Sequence, residues 1–127
     1  MQTGQEKAVR DFMDCWCRLD LEDALSRITD GAVFQPDLKA EAARGRDAIR
    51  PLWAAYMAAI SGYSMEVRQV LASDKVVFME RLERLSTPDG REMSLPIVGV
   101  YELDADGKIT AWRDYWDTSM ADTQMAT

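Results

Sequence analysis

The sequence contains no histidine. That absence excludes Ser-His-Asp and Cys-His nucleophile systems, zinc held by imidazole, and a histidine general base. Cysteine is scarce as well. Cys15 and Cys17 lie too close in the chain to reach disulfide geometry easily, and two sulfurs do not complete a zinc site. They read as two helix side chains, one inward and one outward, in a reducing compartment. Long hydrophobic runs are missing. The longest uncharged, mostly apolar stretch, Leu52 to Gly62, falls far short of the ~20 residues that span a bilayer. The start, Met1 to Lys7, is polar and has no signal-peptide hydrophobic stretch, so a soluble cytoplasmic protein is expected, with no membrane partner. Basic charge is in short supply: 15 Lys+Arg against 22 Asp+Glu leave a formal charge of −7. Such a surface repels phosphate backbones and argues against nucleic-acid binding. No repeat, linker or low-complexity tract interrupts the chain.

What is present fits one domain over residues 1–127, with 47% hydrophobic residues for a core and 29% charged residues for a surface. Val9, Phe12, Trp16 and Leu19 recur at helical spacing, with Asp11, Asp14 and Arg18 between them. Leu21 to Ile28 reads as a second short helix with Asp20 as its N-cap. Thr29-Asp30-Gly31 is a stop signal, Ala32 to Gln35 a short strand ended by Pro36, and Lys39 to Arg44 ambiguous. A third helix is expected from about Asp47 to Ile60, starting late or kinking at Pro51 and ending at Ser61-Gly62. The period then changes to two. Tyr63–Leu71, Val76–Leu85, Glu92–Leu103 and Lys108–Asp117 read as strands joined by short turns, hence mostly antiparallel. Helices first and a meandering sheet afterwards give an α+β domain, with about three N-terminal helices on the concave face of a curved sheet enclosing an apolar pocket. Ser119 to Thr127 reads as a loose polar tail.

The strand faces carry charge where a core is expected. Val77, Met79, Arg81, Glu83 and Leu85 share one face of their strand. Thr110, Trp112, Asp114 and Trp116 share one face of the last strand, and Met93, Leu95, Ile97, Gly99, Tyr101 and Leu103 form an almost wholly apolar face between them in sequence. Buried charges cost several kcal/mol unless paired. Arg81 set between Glu83 and Asp114 would satisfy that demand and would push the two carboxylates apart in proton affinity, giving a base and an acid on one apolar cavity. Periodicity alone equally permits Arg81 and Glu83 on a solvent face as cross-strand ion pairs, with Trp112 and Trp116 as core aromatics beside an edge carboxylate.

At Glu80-Arg81-Leu82-Glu83 and Trp112-Arg113-Asp114-Tyr115-Trp116-Asp117 the chain resembles the limonene-1,2-epoxide hydrolase group of the SnoaL-like, NTF2-like superfamily. Gly45-Arg46-Asp47-Ala48-Ile49 and the run Leu95 to Leu103 followed by Gly107-Lys108-Ile109 support the likeness, which spans roughly Val9 to Thr118. The resemblance implies a cone-shaped NTF2-like fold and a homodimer, with Val98 and Val100 as candidate exposed interface residues. It implies that Asp114 activates a water, Glu83 protonates the epoxide oxygen and Arg81 bridges both. Ring opening in one step to a vicinal diol would need neither metal nor organic cofactor. Trp112 matches a pocket residue of that family. Phe34, Met79, Leu85, Leu95, Ile97 and Trp116 are expected to line the pocket, with Trp53 and Tyr56 as further candidates, and the apolar set implies a small apolar, terpene- or polyketide-like substrate.

Two departures stand out. The family's acid is Asp, and here it is Glu83. The family positions its water with Tyr-x-Asn after the first strand; this chain has Phe34-Gln35-Pro36-Asp37, so Gln35 or Asp37 would have to take the Asn role. The alternatives are a SnoaL-like polyketide cyclase or ketosteroid-isomerase-like enzyme, in which Asp114 abstracts a C–H proton, and a non-catalytic small-molecule-binding dimer module.

Overall fold

The structure is a computed structural model that describes residues 3–126. Helix α1 (Gly4–Cys17) begins where the Thr3 hydroxyl accepts from the Glu6 amide, and it buries Val9, Phe12, Met13 and Trp16 along one stripe. It ends before Leu19, not at it. Leu19 adopts φ +53°, and the Asp20 and Leu19 amides turn back to the carbonyls of Cys15 and Trp16. That is the Schellman closure, with leucine in the left-handed position that glycine usually fills. Helix α2 (Leu21–Ser26) is capped by Asp20, which accepts from the Asp23 amide; it stops two residues before the expected Ile28.

Ile28 instead opens strand β1 (Ile28–Gln35), four residues earlier than local signals indicated. The pairing that recruits it is remote: β1 runs parallel to β6 (Ile109–Tyr115), with Ile28 opposite Ile109. Lys39 to Arg44 resolves into bends and the two-residue strand β2 (Ala43–Arg44). Helix α3 (Arg46–Ala58) starts directly after Gly45 at φ +91° and runs through Pro51, so it does not start late.

Strands β3 (Gly62–Ala72), β4 (Val76–Ser86) and β5 (Glu92–Leu103) follow, then β6. The sheet order is β2-β1-β6-β5-β4-β3, antiparallel except for β1–β6, curved and not closed. The helices cover its inner face. Phe12, Trp16, Phe34, Trp53, Tyr101 and Trp112 interlock there, most pairs tilted or edge-to-face. A register shift between Glu102 and Leu103 leaves Thr110 as an extra residue on β6, so Ile109 rather than Thr110 joins the inward set with Trp112 and Asp114.

Two further expectations are corrected. The segment after Ser119 is not loose: Thr118–Met125 forms helix α4, while Thr127 lies outside the described residues. Gln124 bonds the amide and carbonyl of Ser94, both at 2.7 Å, and Arg91 reaches the Met125 carbonyl. Ser94 lies beyond the end of β6 pairing, so its outer backbone groups lack a strand partner, and the amide side chain replaces one. Val100 is buried at 6% exposure although it sits on the outer face, because it is flanked on its rung by Phe78 and Arg113; Val98 remains exposed. No helix among the described residues is long and apolar enough to cross a membrane.

Candidate active site

Strand alternation sends Val77, Met79, Arg81 and Glu83 of β4 inward together, and they are buried. Arg81 has no solvent exposure at all. Its register partner on β5 is Ile97, and Asp114 pairs with Gly99 on the far side of β5. Arg81 therefore reaches across a whole strand to meet Asp114. Gly99 permits the crossing: a Cβ there would stand 2.7 Å from Arg81 Nη1 and 2.8 Å from Tyr101 Oη.

The guanidinium is nearly saturated. Nε and Nη2 donate to Glu83 Oε1 at 3.1 and 2.8 Å, Nη2 donates to Asp114 Oδ2 at 2.8 Å, and Nη1 donates to Tyr101 Oη at 3.2 Å. Trp112 Nε1 donates to Asp114 Oδ1 at 2.7 Å. The Tyr63 hydroxyl donates to Glu83 Oε1. Neither tyrosine was singled out from the sequence. The signal for Tyr63 was there in principle, since it shares inward parity with Met65 and Val67 on β3 and pairs with Leu85 on β4. Tyr101 belongs to the almost wholly apolar face of β5, and nothing in that pattern marks its hydroxyl as part of a polar network.

Two ionised carboxylates against one guanidinium would leave a net negative charge in a dry site. Burial accordingly pushes Asp114 up from 3.8 to about 6, with the nearby Glu83 charge adding to the rise and Arg81 opposing it. Burial and Glu83 hold the Tyr63 phenol well above its usual range, and burial does the same to Tyr101. Arg81 stays protonated: burial works against its charge, but the surrounding phenols and carboxylates outweigh it.

Of these groups Tyr63, Glu83 and Asp114 border a cavity of about 400 Å³, while Arg81 and Tyr101 lie behind its lining. Glu83, Asp114 and Trp112 line it, as do Phe34, Asp37, Leu85, Leu95, Ile97 and Trp116, with Tyr56 at the rim. Gln35 and Met79 do not. Gln35 follows Phe34 by one residue, so it points away, and its side-chain amide donates to the Ala40 carbonyl. Met79 lies fully buried opposite Gly99, deeper in the core, and Trp53 is core as well. Asp37 reaches the cavity, but its Oδ1 is occupied by the amides of Lys39 and Ala40. Trp116 is pinned by its indole N–H to the Pro36 carbonyl at 2.7 Å. Ala121 of α4 also borders the cavity. Among the described residues no cluster of three or more acidic, Cys or His side chains is placed to hold a metal.

A helix-covered, curved α+β sheet around an apolar cavity is an NTF2-like fold. Within it the chain belongs to the SnoaL-like family: the model of the SnoaL-like domain matches residues 9–112, a span that includes Arg81 and Glu83 and stops just short of Asp114. Solved structures agree in fold. An LEH-like epoxide hydrolase from M. tuberculosis is 24% identical with a TM-score of 0.80, covering 94% of this chain and 86% of its own. SalBIII, an epoxide hydrolase/cyclase-like enzyme of pyran ring formation in salinomycin, is 18% identical with a TM-score of 0.81, covering 91% and 92%. A SnoaL-like polyketide cyclase, so described, from Shewanella putrefaciens CN-32 is 13% identical with a TM-score of 0.88, covering 98% of each chain.

Proposed function

We propose that the protein is an epoxide hydrolase acting on an apolar, terpene-like or cyclic epoxide. The observation that carries this reading is the Asp114–Arg81–Glu83 cluster, buried and open to an apolar cavity on its carboxylate side. An epoxide is strained; opening it takes a water made nucleophilic and a proton for the departing oxygen. Asp114 takes a proton from water as the new C–O bond forms. The epoxide C–O bond breaks, and Glu83 gives its proton to that oxygen, leaving a vicinal diol. Arg81 holds both carboxylates and lets one shed charge as the other gains it. A base near pH 6 is well matched to neutral water, where it is mostly ionised yet still proton-hungry. Neither metal nor organic cofactor takes part. The two free thiols suit a cytoplasmic setting.

The test is turnover of cyclic epoxides in ¹⁸O-labelled water. Wild-type protein should place one labelled oxygen in the diol, with a rate that falls as pH drops through about 6 and Asp114 is protonated. Asp114→Asn should lower kcat by ~10²–10⁴-fold. Diol formation by Asp114→Asn at the wild-type rate would end this assignment.

One observation favours a second reading. The donors that Asp114 receives are those of Trp112 and Arg81, Phe34 brings no hydroxyl, and the Gln35 amide is turned away. A cyclase or isomerase needs no positioned water, because Asp114 would take its proton from the substrate. An enone or polyketide converted without label uptake would select that reading. A purely binding module would show no catalytic titration with either substrate.

A further inference from the structure

Glu83 has a flexible side chain, and pinning it costs rotamer entropy. The site spends three donors on it, and all three converge on one oxygen. Arg81 supplies two, at 3.1 and 2.8 Å, and the Tyr63 hydroxyl supplies the third. Oε2 receives no donor from the described residues, yet it is not among the fully buried unpaired atoms, and Glu83 lines the cavity. It is the oxygen open to a bound molecule. Arg81 alone fixes Glu83 incompletely, since Nη2 is divided between Glu83 and Asp114. Tyr63 comes from a different strand, β3, is 9% exposed, and has its ring packed 6.2 Å from Trp16. It supplies an anchor independent of the guanidinium.

We propose that Tyr63 is the positioning residue of the proton donor: its hydroxyl holds Glu83 so that Oε1 is the hydrogen-bonded oxygen and Oε2 carries the transferable proton into the cavity. The physical reason is that donors aimed at one carboxyl oxygen stabilise carbonyl character there and exclude a proton from it. The kinetic part of this inference rests on the epoxide-opening reading. The placement of the proton does not.

The experiment compares Tyr63→Phe, Glu83→Gln and the double variant, with near-UV circular dichroism and thermal melts confirming the fold. Infrared spectra at acid pH identify the protonated carboxyl band of Glu83 as the one lost in Glu83→Gln. In Tyr63→Phe that band should move to higher frequency, because its C=O loses a donor. With an epoxide that the wild type opens, Tyr63→Phe should lower kcat by ~10–100-fold with KM little changed. The substitution should add almost nothing in the Glu83→Gln background. An unshifted infrared band, or rate losses that simply multiply in the double variant, overturns the assignment of Tyr63. If the wild type opens no epoxide, the hydrolase reading fails by itself, and the infrared comparison still decides for or against Tyr63.

Discussion

A missing side chain shapes the site as much as any present one. Gly99 leaves the gap through which Arg81 crosses β5, and a methyl group there would stand within 2.7 Å of the guanidinium. Gly99→Ala should destabilise the fold by ~1–3 kcal/mol through overpacking and displace Arg81 from Asp114. Urea melts measure the first effect, and loss of turnover the second; an alanine variant as stable and active as wild type would show that the crossing has slack. Asp114 sets the pH behaviour at the same scale. Its proton affinity is raised by folding, so the sign is the reverse of a surface ion pair. Its contribution favours the fold below its ordinary value of 3.8 and is lost as pH rises through about 6. The stability of wild type relative to Asp114→Asn should therefore decline across that interval.

Among the elements, α4 is the one whose behaviour follows least from burial. It has no buried residue, and its hydrogen-bonded attachments are the Gln124–Ser94 pair on β5 and the contact of Arg91, just before β5, with the Met125 carbonyl, while Ala121 borders the cavity. An exposed helix held this way opens locally without unfolding the sheet. Gln124→Ala removes two hydrogen bonds of about 1 kcal/mol each. Amide exchange in α4 should accelerate by at least ~10-fold, with the melting temperature of the whole nearly unchanged. A large drop in that temperature would mean α4 is integral to the core. The chain carries no hydrophobic stripe in Thr118–Met125 to announce a helix; what fixes it is the Asp117 cap and backbone groups of β5, remote in sequence.

At the scale of the whole molecule, the middle of the sheet's outer face carries exposed apolar side chains beside Glu80 and Arg113. Phe78, Val98 and Tyr115 are 49%, 37% and 40% exposed on adjacent strands β4, β5 and β6. We propose that a second copy of the chain covers this face. Light scattering should then show a dimer that Phe78→Glu converts to a folded monomer. An unchanged mass for the variant, or a monomeric wild type, rejects that interface.

The sequence by itself determined the α+β class and the shared faces of β4 and β5, and its family resemblance named the three side chains to look for. Period-two alternation puts Arg81 and Glu83 with Val77 and Met79 whatever the sheet does next; these two charges can pair with each other, so β4 alone does not call for Asp114. Local patterning did not reach further than its own strand. Whether that face met solvent or a cavity, the register that seats Asp114 opposite Gly99, the parallel β1–β6 pairing that draws in Ile28, and the two tyrosine hydroxyls within the network were decided by tertiary structure. Each depends on contacts between residues tens of positions apart, and chain connectivity alone does not fix such distances.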